Sequence, residues 1–108
     1  MQKLEKIAEQ IRQTFDAQTA TRDKALAQAR SLTRACALSI RAVHRDESDV
    51  MQAHLDEARQ LAEALGTDLA EYPAFYFAGY TQDSLKEFAE ASITCALIRH
   101  QPLPTPEE

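Results

Sequence analysis

The sequence predicts an all-α protein, an antiparallel bundle of about four helices, and both composition and spacing support this. The 108 residues include only two glycines and four prolines, while alanine, leucine, glutamate, glutamine and arginine dominate. Apolar residues recur every three or four positions, which is the spacing of helices that bury one face. The length suits one domain with a modest core, expected over residues 1–100.

Two helices are predicted in the first half of the chain, over residues 2–18 and about 20–45. The apolar positions of the first are Leu4, Ile7, Ala8, Ile11 and Phe15. Thr19 or Thr21 can cap the second, whose apolar seam alternates steps of three and four. Its members are Leu26, Ala29, Thr33, Cys36, Ile40 and Val43. So narrow a seam is typical of a bundle or coiled coil, and it slightly favours completion by other subunits in a homo-oligomer.

A third helix is predicted over about 50–65, beginning at Ser48 or Asp49. Gly66 is its expected stop, because glycine readily adopts the left-handed conformation that ends a helix. Pro73 suits the first turn of a further helix.

The last long helix is predicted to run to about Arg99, with residues 82–98 as its clearest part. Gly79 is interpreted as a kink or a close backbone approach. Residues 101–108 contain three prolines, which excludes a helix there and predicts a linker or a truncated continuation.

The sequence offers no signal for a membrane or secretory protein. It has no run of about 18 apolar residues and no apolar segment after the N-terminal charges. Cys36 and Cys95 fall on apolar helical faces without the spacing of a metal motif. We interpret them as reduced core cysteines of a cytoplasmic protein, not as a disulfide or a zinc site.

Charge is unevenly distributed along the chain. The net charge is −5, yet residues 22–45 hold six basic side chains and one acidic one. Residues 46–108 hold three basic and thirteen acidic side chains. A basic segment followed by an acidic one indicates a local site for an anionic partner more clearly than the total does.

Four arginines of this segment share one helical face. Arg30, Arg34, Arg41 and Arg45 lie within about 60° of one another on a helical wheel, away from the seam. They form a stripe about 20 Å long, with His44 beside its end. Such a stripe suits a phosphodiester backbone, whose phosphate oxygens arginine can contact bidentately. The alternative is a solvated face paired with acids of neighbouring helices.

Glu87 and Glu90 are the candidate metal ligands. Three residues apart on a helix, their Cβ atoms lie roughly 5–6 Å apart, and Asp83 extends the acidic edge by one turn. Paired carboxylates suit Mg²⁺ or Mn²⁺, although a solvated pair is the alternative. The helix is apolar almost all round, so we expect it to be buried, where carboxylates need partners.

The remaining ligands of such a metal site are not evident. Glu57 and Glu63 are acids on another predicted helix, but both look exposed. Five aromatic residues cluster over positions 72–80: Tyr72, Phe75, Tyr76, Phe77 and Tyr80. They suit either base stacking or, as the blander interpretation, packing between helices.

Two stretches resemble the translin family: RDKALAQARSLTRACALSIRAVHR (22–45) and FYFAGYTQDSLKEFAEASITCALIRHQPLPTPEE (75–108). The specific parts are S-x-R-x-x-H-R and G-Y-x-Q-D-x-L-K-E-x-x-E-A. The likeness is closer to archaeal and bacterial members and to translin-associated factor X than to translin, and it covers the N-terminal half of a typical member. It implies half of an all-helical fold whose subunits assemble into hollow oligomers that bind RNA and single-stranded DNA.

The resemblance also implies roles for individual residues. Glu87 and Glu90 match the two glutamates of the family's catalytic motif, and the arginine stripe matches a basic region implicated in nucleic-acid binding. A further catalytic acid of the family lies in the C-terminal half, which this sequence lacks. We therefore expect a protein that binds single-stranded RNA or DNA and forms part of a Mg²⁺-dependent endoribonuclease.

Two alternatives remain open at this point. The first is a non-catalytic protein that binds nucleic acid or forms oligomers, which the incomplete acid set favours. The second, ranked last, is an all-α nucleotide pyrophosphohydrolase. That class also uses E-x-x-E on a bundle helix, but it needs a second acidic pair on a following helix.

Overall fold

Four helices account for most of the structure, a computed structural model that describes residues 2–99. They are α1 (Gln2–His44), α2 (Ser48–Asp68), α3 (Pro73–Tyr76) and α4 (Gly79–Ile98). Over this range there is no β-strand, so the predicted all-α bundle is confirmed. Within the same range no helix has both the length and the apolar character needed to cross a bilayer. The linker predicted at 101–108 lies outside the described residues.

Helix α1 joins two helices that the sequence analysis separates. The predicted break at Thr19 or Thr21 is wrong, because α1 is a single helix of 43 residues that continues through both positions. The Thr21 hydroxyl donates to the Ala17 carbonyl at 3.0 Å, a bond that threonine makes inside a helix instead of capping one. No glycine or proline occurs between residues 2 and 44, so nothing else interrupts the helix.

The core lies against the second half of α1. Its buried positions alternate steps of four and three: Ala25, Ala29, Leu32, Cys36, Ser39 and Val43. The predicted seam is correct at Ala29, Cys36 and Val43, but Thr33 is exposed. The seam is shifted because small residues such as Ala25 and Ser39 occupy it and let the neighbouring helices approach closely.

A tight turn reverses the chain between α1 and α2. Asp46 adopts φ 58°, the left-handed conformation that aspartate tolerates better than most residues. The Glu47 amide donates to the Ala42 carbonyl at 3.0 Å, and the Asp46 amide donates to the Val43 carbonyl at 3.2 Å. These two bonds form the Schellman arrangement, so α2 packs antiparallel to α1.

The far end of α2 is tied back to α1. The Asp68 carboxylate accepts a hydrogen bond from Gln28 Nε2 at 2.8 Å and lies 3.2 Å from Lys24 Nζ. These contacts hold the pKa of Asp68 below its ordinary value, with the Gln28 bond as the larger cause. The predicted stop at Gly66 is wrong, because the helix continues to Asp68.

The last part of the chain forms two helices instead of one. Pro73 begins the short α3, as its place in the sequence predicts. The chain then leaves the helical conformation, with Ala78 extended at φ −62° and ψ 148° before α4 begins. Gly79 opens α4, and a Cβ added there would meet no atom within 4 Å. Of the two predictions for Gly79, the close backbone approach is therefore wrong, whereas the helix is indeed interrupted just before it, at Ala78.

Helix α4 runs parallel to α1 and antiparallel to α2. Near its start, Tyr80 and Ser84 lie beside Leu26 of α1. Near its end, the Cys95 thiol lies 3.9 Å from the Ser39 carbonyl oxygen. The bundle thus has three long helices, and α1 and α4 stand side by side where the candidate site lies.

Candidate nucleic-acid and metal site

The arginine stripe lies on the face of α1 opposite the core. All four arginines and His44 are exposed. Arg45 follows the last helical residue, and its amide donates to the Arg41 carbonyl at 3.2 Å. The stripe therefore continues past the end of the helix.

No carboxylate among residues 2–99 comes within 4.0 Å of these four arginines. Three basic residues nearer the N-terminus do have acidic partners: Arg12 pairs with Glu9 at 2.7 Å, Arg22 with Asp23 at 3.9 Å and Lys24 with Asp68 at 3.2 Å. The alternative of a stripe paired with acids of neighbouring helices is thus not seen in the described part of the chain. The guanidinium groups remain available for an anion.

A groove of about 330 Å³ separates α1 from α4. Its walls are Leu26, Ala29, Arg30 and Thr33 on α1, and Tyr80, Asp83, Ser84 and Glu87 on α4. Arg30 and Glu87, which the sequence assigned to separate sites, share this groove. The Arg30 guanidinium group on one wall and the Asp83 and Glu87 carboxylates on the other can engage a bound phosphate and its metal ion together.

Tyr80 lines the groove, although the sequence placed it only in the aromatic cluster. Its hydroxyl is buried and has no hydrogen-bond partner within residues 2–99. A buried polar group left unpaired costs roughly 1–3 kcal/mol, so water or a ligand in the groove would stabilise it. The available signal was spacing, since Tyr80, Asp83 and Glu87 recur at three and four residues along one helical face.

The glutamate pair is more accessible than the sequence analysis expected. Glu87 and Glu90 are both exposed, and the prediction of a buried central helix is wrong. Ile93 and Leu97 of α4 are also 44 % and 59 % exposed. Part of the apolar surface of α4, including Ile93 and Leu97, therefore faces water among the described residues, while Ala91, Cys95 and Ala96 are buried.

The two glutamates have different surroundings. Glu87 faces the groove and α1. Glu90 turns away from it, and its Oε1 atom lies 4.0 Å from Lys86 Nζ one turn back. A shared ion would have to draw Glu90 away from Lys86, which is a weak exposed pair.

Glu87 exerts its charge across the helix interface. Burial, and then the nearby negative charge of Glu87, raise the pKa of the Cys36 thiol on α1 to about 11. Burial also raises the pKa of Cys95. Both cysteines are free and buried, which confirms the interpretation of core cysteines. Protonated, buried thiols are neither nucleophiles nor metal ligands.

Glu87 and Glu90 provide some, but not all, of the ligands of a metal site. No group of three or more histidine, cysteine, aspartate or glutamate side chains comes together among the described residues. Glu57, one of the further acids considered from the sequence, lines a different groove with Arg34, between α1 and α2. Mg²⁺ is often held by one or two carboxylates, with water and substrate phosphates completing its shell. Glu87 and Glu90 supply that minimum.

The aromatic cluster mostly packs between helices. Phe75, Tyr76 and Tyr80 are partly buried against the core. The Tyr72 and Phe75 rings stack at 6.1 Å, and the Tyr76 and Phe77 rings meet edge to face at 5.0 Å. Phe77 is 72 % exposed. The packing interpretation therefore holds for the three partly buried rings.

Comparison with known proteins assigns this chain to no family. No family model matches the sequence, and it matches neither a curated protein nor a solved structure. The resemblance to the translin family therefore stays a prediction.

Proposed function

We propose that this chain binds single-stranded RNA or DNA along the arginine stripe and forms part of a translin-like, homo-oligomeric, Mg²⁺-dependent endoribonuclease. One observation carries the proposal. Four exposed arginines have no acidic partner in the described residues, and Arg30 lines the same groove as Glu87. A phosphodiester held by the stripe would thus enter the groove beside the candidate metal ligands.

The stripe suits the sugar–phosphate backbone of a flexible single strand. Each guanidinium group can give two parallel hydrogen bonds to one phosphate, and His44 adds a donor near the stripe's end. Contacts to phosphates carry no sequence information. Binding is therefore expected to depend weakly on sequence and strongly on salt.

The residues in and beside the groove have distinct roles in this proposal. Glu87 and Glu90 would hold Mg²⁺ or Mn²⁺ through their carboxylate oxygens, with other ligands from water, the substrate or residues beyond those described. A bound ion of this kind supplies Lewis-acid stabilisation of charge on a phosphate and activates water. Arg30 would neutralise a second phosphate oxygen, and the Tyr80 hydroxyl would donate to the strand.

A cleavage assay tests the catalytic part of the proposal. The full chain is incubated with single-stranded RNA in Mg²⁺, and separately with a chelator. We expect Mg²⁺-dependent cleavage that is lost in Glu87→Gln/Glu90→Gln while RNA binding is retained. The matched control is Glu47→Gln/Glu71→Gln, which removes the same charge from exposed sites elsewhere. Undiminished cleavage by Glu87→Gln/Glu90→Gln would show that the pair is not the metal site.

A binding-only protein is the second candidate. It is favoured by the absence, within residues 2–99, of any group of three or more acidic, histidine or cysteine side chains that could together hold a metal ion. In the same assay it predicts salt-sensitive RNA binding by the unmodified chain, without cleavage in Mg²⁺ or Mn²⁺. That result would retain the arginine stripe and reject the nuclease.

The compartment we propose is the cytoplasm. Cys36 and Cys95 are free and buried, and free thiols are typical of proteins kept under reducing conditions. Fractionation of cells expressing the tagged chain would test this, with recovery outside the cytoplasm as the contrary result.

A further inference from the structure

The first half of α1 carries an uncovered continuation of the core seam. Extending the same steps of four and three from Ala25 toward the N-terminus leads to Phe15, Ile11, Ala8 and Leu4, with Gln18 and Arg22 between. Leu4 and Ile11 are both 64 % exposed, and Phe15 is 65 % exposed. One helix face therefore carries a single heptad pattern, which is buried in its second half and open in its first.

This N-terminal arm, residues 2–18, has no partner within the described chain. Every residue of the arm is exposed, and the molecule is 68 Å long but only 23 by 18 Å across. Helices in proteins owe most of their stability to the packing of an apolar face, and within residues 2–99 the arm has no such packing. An apolar stripe that continues the core register is thus a surface for another helix.

We propose that the arms of two copies of this chain pair antiparallel, each covering the other's seam. The register sets Leu4 opposite Phe15 of the partner subunit and Ala8 opposite Ile11 of the partner subunit. Each large residue then has an apolar counterpart, and the overlap extends about 24 Å along α1. The arrangement is two-fold symmetric and closes on itself, as dimer interfaces usually do.

Charge complementarity identifies the second copy as the occupant. The arm carries three basic and three acidic side chains, a net charge of zero. Next to the seam, the antiparallel register brings Glu5 toward Arg12 of the partner subunit, and symmetry repeats the pair. Arg12 already donates to Glu9 at 2.7 Å, but its guanidinium group has donors left for a second acceptor.

Neither a parallel pair nor a membrane fits the arm as well. Parallel pairing gives Glu5 no cation at the flanking position. A helix that lies on anionic lipid is typically rich in lysine and arginine on its polar face, whereas this polar face is balanced. The pairing supplies an interface for the homo-oligomer of the proposed function, but it does not depend on nucleic-acid binding or cleavage, because the arm lies apart from the arginine stripe.

Sedimentation velocity of the full chain over a range of concentrations tests the pairing. We expect a dimer that dissociates on dilution. Ile11→Asp/Phe15→Asp should remain monomeric, while Gln10→Asp/Gln13→Asp, which adds the same charge to the opposite face of the arm, should dimerise. Circular dichroism checks that each variant keeps its helices. The proposal would be overturned if the unmodified chain stayed monomeric at high concentration. It would also be overturned if the Ile11→Asp/Phe15→Asp variant dimerised as well as the unmodified chain.

A charge exchange tests the antiparallel register. Glu5→Arg should raise the dimer dissociation constant about tenfold, since two exposed attractions become repulsions. Glu5→Arg/Arg12→Glu should restore it, because the symmetric pair is re-formed with reversed signs. Failure of the double variant to recover would overturn the register. Binding of the arm to lipid vesicles without dimer formation would overturn the choice of partner.

Discussion

Arg30 of α1 and Glu87 of α4 line one groove without forming an ion pair, since no carboxylate in the described chain lies within 4.0 Å of Arg30. In the proposed function, the space between the helices would separate the cation that binds a phosphate from the carboxylate that binds a metal ion. A site that holds both a phosphate and its metal ion needs this separation. The relationship joins the two halves of the proposed function.

Tyr80→Phe should separate binding from stability. The buried Tyr80 hydroxyl lacks a partner within residues 2–99, so its removal should leave the free energy of unfolding unchanged or raise it by up to about 1 kcal/mol. If a strand occupies the groove, RNA affinity should fall. Denaturant unfolding and fluorescence anisotropy measure the two effects, with Tyr72→Phe as the control. Unchanged RNA affinity would place the strand outside the groove.

Glu87→Gln should lower the pKa of Cys36. The pKa is raised to about 11 from 9.0 by burial first and by the Glu87 charge second. Loss of the charge should therefore move the pKa part of the way back toward its ordinary value. Thiolate absorbance against pH in a Cys95→Ala background measures it, and Glu90→Gln is the control because Glu90 does not contribute to the shift.

The raised Cys36 pKa also fixes the sign of a pH effect on stability. A raised folded-state pKa means that the folded protein favours the protonated thiol. This stabilisation is fully present below the unfolded value of 9.0 and is lost as pH rises toward about 11. Cys36→Ala should show a shallower loss of unfolding free energy over that window. An unchanged slope would contradict the assignment.

Leu32→Ala and Leu4→Ala should differ sharply, although both leucines occupy equivalent positions of one heptad pattern. Leu32 is fully buried, and truncation of a buried leucine costs about 2–5 kcal/mol. Leu4 is 64 % exposed, so its truncation should change the stability of the monomer by less than about 0.5 kcal/mol. Chemical unfolding at low protein concentration measures both. Equal costs would mean that the arm is buried in the monomer.

Asp46→Gly should stabilise the turn between α1 and α2. Asp46 holds φ 58°, which glycine adopts without strain, and the gain should be roughly 0.5–1 kcal/mol. Asp49→Gly, in the first turn of α2, should instead destabilise the protein by a similar amount. Thermal unfolding of the two variants compares them, and a loss of stability in Asp46→Gly would contradict the predicted release of strain.

The helical class could be predicted from sequence, but the course of the first helix could not. Scarce glycine and proline and the regular apolar spacing decide the class. The helix break predicted at Thr21 was wrong because a threonine hydroxyl can either cap a helix or donate to a carbonyl within one. Only the structure shows that Thr21 donates to the Ala17 carbonyl. The seam was shifted because Ala25 and Ser39 are small and do not stand out as core residues.

The candidate site could be predicted only residue by residue. Helical spacing places the arginines together and Glu87 beside Glu90. Spacing cannot reveal that α4 returns parallel to α1, so the groove shared by Arg30 and Glu87 was not foreseen. Periodicity also cannot show whether another helix covers a given face. Leu4 and Ile11 follow the same spacing as the core residues but are exposed to water.

The salt dependence of single-stranded RNA binding is the sharpest test of the proposed role of the arginine stripe. Anisotropy titrations at several salt concentrations give a slope of log affinity against log salt of about −0.7 for each phosphate neutralised. We predict a slope near −3 for the unmodified chain, and little binding once Arg30, Arg34, Arg41 and Arg45 are all replaced by glutamine. The control Arg59→Gln should match the unmodified chain. Absence of binding at low salt, or an unchanged slope in the fourfold variant, would contradict the account.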